Sequence, residues 1–510
     1  MTIALETLIA KPCSRKPSAP LVNFQGKTWS AEELESLSTF LAKNLAKDGV
    51  EVMDRVAILL TNRPETVLTY LACFKGGYVL VPLDYRHQGS QLKYAVSHSG
   101  ATVLIVHRDR YQELEDEGIL GLVNRVYVVG DPAASTATSF DGLLAPQNHG
   151  TLTDRFEADQ LCLMIYTSGT TSRPKGVTFT RGAIEEGIHK YLARVPITDQ
   201  DCGLIAAPIT RPMALRSQLL PLLAAGGCAC LIESFDSHQY IAALKESPPK
   251  TVLALLPAAW SQVLRHPDVE QVDFQGLRLA LTGGDATPIN VHREFTRITG
   301  HELTEQYGSS EVGPIAINPP FGRKKPGSVG LPMYGAQVMI VDDDDMDLPS
   351  GATGKIVIRS QYSMDGYWND TALTRKTIFN GTIRTGDLGR FDEDGYLWFM
   401  GRNRDLIIRG GSNISPFEVE LVIKTHDAVL DACVVGVSHS ELGQTVEAFI
   451  QLKPGSVVTS EELKAYLASH LAAYMVPEKI HLVDELPLKG AGKIDRDKLR
   501  MRAETQVYDL

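Results

Sequence analysis

Residues 166–177 read YTSGTTSRPKGV. Thr167, Ser168, Thr170, Thr171 and Ser172 supply hydroxyl groups, Gly169 and Gly176 let backbone come close to an anion, and Lys175 adds a compact positive charge. An apolar run, residues 161–165 (LCLMI), leads into the loop, and a helix is expected to begin near Arg181. A loop of this make-up can hold phosphate oxygens. The order Gly-x-x-x-x-Gly-Lys-Ser/Thr is absent, so the stretch is not a Walker A loop. On composition alone, a hydroxyl-rich surface turn fits as well.

Short apolar runs closed by turn residues recur around this loop, at 56–60, 78–81, 103–106, 161–165, 252–256 and 277–281. Runs this short, without alternation, suit strands buried on both faces, as in parallel sheets. Helical segments lie between them. In residues 31–47, Leu34, Leu37, Leu41 and Leu45 fall on one face, Ser30 and Glu33 form a capping box, and Gly49 is a stop. The alternation predicts an α/β fold. The character changes near residue 400. After the turn-rich residues 381–401 come strands at 432–437 and 447–452 and a helix around 461–471. We place a boundary at 402–405, giving a large N-terminal domain, 1–403, and a small α+β C-terminal domain, 404–510.

A chain of 510 residues is too long for one simple core. Its hydrophobic content of 44% and charged content of 22% are those of an ordinary soluble globular protein. The net charge of −11, with no basic stripe, argues against a nucleic-acid partner. The N-terminus MTIALETLIAKPCSRK does not read as a signal peptide, and no apolar run is long enough for a membrane span. The seven cysteines, at 13, 73, 162, 202, 228, 230 and 433, contain no Cys-x-x-Cys and read as reduced, mostly buried thiols of a cytoplasmic protein. The 13 histidines show no ligand spacing, which argues against zinc. The acidic run 342–345 reads as a solvated turn between strands.

Four more stretches follow the loop in order: 307–311 (YGSSE), 384–387 (RTGD), 401–420 (GRNRDLIIRGGSNISPFEVE) and 492–496 (GKIDR). Together with the loop they resemble the signature segments of the adenylate-forming enzymes, which include acyl- and aryl-CoA synthetases, firefly luciferase and the adenylation domains of peptide synthetases. The resemblance runs from about Trp29 to Leu499. It implies a large N-terminal domain that binds ATP and an acid, and a small mobile C-terminal lid. It also implies the reaction: a small carboxylic acid and ATP give an acyl-adenylate and pyrophosphate, and a thiol then takes the acyl group.

The resemblance also assigns roles. Lys175 and the loop residues Thr167, Ser168, Gly169, Thr170 and Thr171 would hold the β- and γ-phosphates, because two anions must be brought together. Ser310 would touch the α-phosphate, and Glu311 would ligate Mg²⁺, a hard ion that prefers oxygen. Tyr307 would stack on adenine beside Gly283, Gly284 and Asp285. Asp387 would accept from the ribose hydroxyls, with Arg402 as a second ribose contact. Lys493 would reach in from the lid to bridge the carboxylate and the α-phosphate, and Arg404 would be the hinge.

Three departures from the family pattern matter. Ser172 stands where the loop usually has glycine, which costs on the order of 1 kcal/mol if φ is positive there. Ser310 replaces threonine and keeps the hydroxyl. In 208–216 (PITRPMALR), Pro208 is retained but Arg211 stands in the place of a histidine beside the reacting carboxylate. Arg211 either binds a second anionic group of the acid in bidentate fashion, or points to solvent or pairs with an acidic neighbour. For the acceptor, 410–416 (GGSNISP) resembles CoA ligases, in which Gly410 and Gly411 would line a pantetheine tunnel. Residues 474–477 (YMVP) and GKIDR resemble domains that load a carrier protein. Coenzyme A is the expected acceptor, with a carrier protein or an amine as the alternative. A luciferase-type oxygenase and a degenerate nucleotide-binding regulator are the remaining readings. Retention of Glu311, Asp387 and Lys493 speaks against the regulator.

Overall fold

A computed structural model describes residues 3–130, 137–146, 152, 156–167, 173–246, 248–489 and 493–507. The chain is a mixed α/β protein with a large N-terminal part and a small C-terminal part. Among the described residues the strands form five sheets.

The first large sheet runs in the order Gly366–Tyr367, Lys175–Thr180, Leu161–Thr167, Val79–Pro82, Arg55–Leu59, Val103–His107, Arg125–Val129 and Thr138–Ser139. From Leu161–Thr167 outward the pairing is parallel. Parallel strands with helices on both faces have no solvent side, and Val56, Ala57, Ile58 and Leu59 are all fully buried. The second large sheet runs Leu331–Pro332, Gly313–Ile317, Thr304–Ser309, Leu279–Gly283, Val252–Leu255, Cys202–Ile205, Cys228–Leu231, Pro20–Phe24 and Lys27–Ser30. Its middle is parallel and its two ends are antiparallel. A third, antiparallel sheet holds Ala336–Val341, Gly354–Ser360, Ile378–Phe379, Thr382–Phe391 and Leu397–Arg402.

The helix Ala31–Lys47 forms as the leucine spacing predicts. Leu34, Leu41 and Leu45 are fully buried, each contributing roughly 1.5–3 kcal/mol. Ser30 Oγ accepts from the Glu33 amide at 3.2 Å, and Glu33 Oε2 accepts from the Ser30 amide at 2.7 Å. The run expected at 277–281 is shifted: the strand is Leu279–Gly283, because Leu277 closes a turn on Phe274 while Thr282 is buried and bonded to Thr287. The acidic run 342–345 is a turn between two strands, with Asp343 and Asp345 paired to Lys355 and Arg384.

The C-terminal sheet starts at Ile407. Its strands are Ser412–Ile414, Ile407–Arg409, Gly443–Leu452, Val429–His439 and Lys479–Val483. It has its own core, including Ile407, Val419, Val434, Val446 and Leu463. Thr459 and Glu462 form a capping box that starts the helix expected around 461–471 at Ser460, and it ends at Ala468. This part touches the larger one where Phe417 meets Phe399 edge-on at 5.1 Å and Ser415 Oγ donates to the Met400 carbonyl at 2.5 Å.

The cysteines are all free, but they are not all scattered. Cys202 faces Cys228 across a parallel strand pair, Cys230 lies on the same face, and the three sulfurs lie within 4.8 Å of one another. The register between two strands, invisible in the sequence spacing, brings them together. No described helix is long and apolar enough to cross a membrane.

Candidate active site

Ends of parallel strands are where α/β sheets place ligand-binding groups, and Gly283 stands at such an end. Gly283 closes the strand Leu279–Gly283 and lies in register with Gln306, next to Tyr307. A Cβ on Gly283 would stand 2.4 Å from the Gln306 carbonyl oxygen, so only glycine fits. Gly284 turns the chain away at φ +81°, and Asp285 is exposed beyond it.

Tyr307 is buried and donates to Asp387 at 2.5 Å. Its ring lies 5.7 Å from that of Phe399, tilted by 41°. Burial, with the Asp387 carboxylate beside it, pushes the phenol well above its usual pKa, so it stays a neutral donor. Asp387 faces Arg402 directly across the strand pair Thr382–Phe391 and Leu397–Arg402, with Arg402 Nε 3.7 Å from its carboxylate. Arg404 is next to this group. Burial lowers its pKa, with the charges of Asp405, Arg402, Asp497 and Asp387 acting on it.

The two residues expected at the phosphates, Lys175 and Glu311, meet at a residue that the motifs did not name. Lys175 opens the strand Lys175–Thr180, opposite Thr167 in an antiparallel pair. The loop thus joins two strands, and the helix Arg181–Arg194 follows the second one. Ser168, Gly169, Thr170, Thr171 and Ser172 lie outside the described residues. The Lys175 Nζ lies 5.6 Å from the centroid of the Tyr367 ring, and the Tyr367 hydroxyl donates to Glu311 Oε1 at 3.0 Å. Tyr367 therefore joins the expected phosphate lysine to the expected metal ligand. Burial and the Glu311 charge push its pKa up, so it donates at neutral pH. The Glu311 backbone is fixed as well: its carbonyl accepts from the Met364 amide at 2.7 Å. Ser310 sits in the same turn, half-buried.

Arg211 is engaged. Its Nε and Nη2 both donate to Asp84 Oδ2, at 3.0 and 2.7 Å. Asp84 is buried and also holds Arg86. Burial opposes the charge of Asp84, but the Arg86 hydrogen bonds and the Arg211 guanidinium outweigh it and hold the carboxyl below its usual range. Of the sequence readings of Arg211, pairing with an acidic neighbour is the one observed. The two residues are 127 positions apart, which is why spacing did not reveal it. The segment with Pro208 is pinned by Asn62, which donates to the Ala207 carbonyl at 2.9 Å and accepts from the Ile209 amide at 2.8 Å.

Gly410 and Gly411 form the two-residue turn between Ile407–Arg409 and Ser412–Ile414, with φ of +55° and +83°. A turn with both residues at positive φ is the one that matches strand twist in a tight hairpin, and this alone requires glycine-like residues. Lys493 lies in a short strand pair with Leu488–Lys489.

A family model described as AMP-binding enzyme matches residues 9–368, and the model of the AMP-binding enzyme C-terminal domain matches 418–493. The chain is 31% identical over 488 residues to a feruloyl-CoA synthase of an Amycolatopsis species, covering 95% of this chain and 96% of the relative. It is 30% identical over 507 residues to an indoleacetate–CoA ligase of Aromatoleum aromaticum, covering 99% of each. Among solved structures, ATP-bound MatB from Rhodopseudomonas palustris superposes with a TM-score of 0.90 at 26% identity, covering 99% of both chains.

Proposed function

The chain belongs to the AMP-binding enzyme family, and from that premise we propose that it is an AMP-forming acid–thiol ligase acting with ATP and coenzyme A. The observation that carries the reading is the meeting of Lys175 and Glu311 at Tyr367, three residues from three distant segments.

In the first step a carboxylate oxygen attacks the α-phosphorus of ATP and pyrophosphate leaves. Negative charge builds on the phosphates, and Lys175 would neutralise that charge. Tyr307 offers a flat face for adenine, while its hydroxyl holds Asp387 in place to accept from the ribose, with Arg402 beside it. Glu311 would hold Mg²⁺, whose preference for carboxylate oxygen fits this donor, and the ion would supply further charge neutralisation at the phosphates. Ser310 would contact the α-phosphate. Lys493 would bridge the carboxylate and the α-phosphate. In the second step the thiol attacks the acyl carbonyl and AMP departs. The glycine hairpin at Gly410–Gly411 puts no side chain along its edge, which suits the approach of a pantetheine arm. We place the division between the two domains at 403/404, with Arg404 at the pivot.

The test is pyrophosphate release measured over a panel of aryl, aliphatic and dicarboxylic acids, with and without coenzyme A. The reading expects pyrophosphate and AMP with some acid, and thioester only when coenzyme A is present. ADP as the nucleotide product would refute it.

A further inference from the structure

Arg216 has no part in the roles above, yet it is the most unusual charge in this region. It lies in a π-helical turn, Leu215–Leu219, a geometry that recurs at functional sites. The residue is only 4% exposed. Its Nη2 donates to the Tyr362 carbonyl at 2.9 Å, and its guanidinium carbon lies 4.6 Å from the Phe179 ring centroid. Its Nη1 is buried and has no hydrogen-bond partner among the described residues. The groups that bear on its charge are the phenol of Tyr362 and the thiol of Cys162, and among the described residues no carboxylate pairs with it. Burial pulls its pKa down to about 10, so it is still charged at neutral pH. A buried cation without a counter-ion is costly, and a protein keeps one where something supplies the missing anion.

The walls around Arg216 come largely from segments that adjoin the candidate active site. Phe179 is on the strand that Lys175 opens. Gly313 follows Glu311 by two positions, and a Cβ there would stand 2.7 Å from Arg216 Nη1. A Cβ on Gly187 would stand 3.0 Å from Nη2. Two glycines thus make room for the guanidinium. Tyr362 adjoins the segment whose Met364 amide holds Glu311. The Tyr362 hydroxyl is buried, feels the Arg216 charge and has the Ser360 side chain as a polar neighbour.

We propose that Arg216, with the Tyr362 hydroxyl, forms an anion-recognising subsite of the acid pocket, and that the preferred substrates carry a second anionic group, a second carboxylate being the simplest. This rests on the adenylation reading above. One carboxylate attacks the α-phosphate while the other takes the free Nη1. A guanidinium suits the task because it presents planar, paired donors to a carboxylate. The role that the sequence pointed to at Arg211 moves to Arg216, since Asp84 already occupies Arg211.

The experiment compares kcat/KM for pyrophosphate release with size-matched acids: succinate against butyrate, glutarate against valerate, phthalate against 2-methylbenzoate. The wild-type protein is expected to favour the diacid in at least one pair by about tenfold or more, a factor typical of one charge-assisted contact. Arg216→Met is expected to reduce that ratio at least about tenfold, and Arg216→Lys to reduce it less. Wild-type preference for the monoacid in every pair overturns the subsite, whether or not the variants fold. An equal loss for both members of a pair in Arg216→Met also overturns it, since a purely structural arginine would act on both alike. Failure of every acid to release pyrophosphate would instead overturn the adenylation reading, and the subsite with it.

Discussion

The Tyr307 hydroxyl donates to Asp387 at 2.5 Å across 80 positions of sequence, joining the largest sheet to the antiparallel sheet that carries Arg402. One bond thus sets the ring proposed to face adenine and the carboxylate proposed to face the ribose relative to each other. Tyr307→Phe removes the donor and leaves a buried carboxylate short of a partner. The expected loss is about 1–3 kcal/mol of stability, read by urea unfolding, with a raised KM for ATP. Because the folded pKa of Tyr307 is raised, its contribution is complete below the ordinary tyrosine pKa and is lost only as pH rises through the folded value. Between pH 5 and 9 the wild type and Tyr307→Phe should therefore differ by a constant amount. A difference that changes across that window would mean that Tyr307 is not the neutral donor.

Arg211 is expected to matter for stability more than for acid choice. Arg211→Ala leaves Asp84 with Arg86 alone and should cost about 2 kcal/mol. The folded pKa of Asp84 is depressed, so its contribution is present above the ordinary carboxyl pKa of about 4 and is lost as pH falls through the folded value. The stability gap between wild type and Arg211→Ala should close in acid. A change in the diacid-to-monoacid ratio in this variant would return the anion-binding role to Arg211.

Tyr367 positions rather than reacts. Tyr367→Phe keeps the ring beside Lys175 and removes the bond to Glu311. The expected result is roughly a tenfold loss in kcat and a higher Mg²⁺ concentration at half-maximal rate, with little change in melting temperature. An unchanged Mg²⁺ dependence would separate Glu311 from the metal.

The lid residues should separate the two half-reactions. Lys493 and Gly410–Gly411 belong to the same small C-terminal part yet would serve different steps, so this part should rotate about Arg404 between them. Lys493→Ala should lose adenylation by about 10²-fold, the scale of one charge-stabilising contact of about 3 kcal/mol, and still convert a supplied acyl-adenylate to the thioester. Arg404→Pro should do the reverse, because proline fixes φ at the pivot. Equal damage to both halves in Lys493→Ala would end the rotation argument.

Much of this could be read from local sequence. The capping box at Ser30 and Glu33, the leucine face of Ala31–Lys47 and the buried strand at Arg55–Leu59 follow from periods of three to four residues and from short apolar runs. The ordered motifs single out Lys175, Tyr307, Glu311 and Asp387 from sequence alone. Contacts made by the tertiary fold were not legible. Tyr367 lies outside every motif, Asp84 meets Arg211 only through strand placement, and the Cys202–Cys228–Cys230 group depends on the register of two parallel strands. Arg216 closes the stretch 208–216, but a buried charge without a counter-ion is recognised only when its surroundings are known.

The central claim is that the acid is activated by bonding its own oxygen to the α-phosphorus. The most direct measurement uses an acid labelled with ¹⁸O in its carboxylate, ATP, Mg²⁺ and coenzyme A, with mass analysis of the products. Attack at the α-phosphorus transfers one labelled oxygen to AMP when the thiol displaces it, leaving pyrophosphate unlabelled. Label in inorganic phosphate, with ADP as the nucleotide product, would contradict the account.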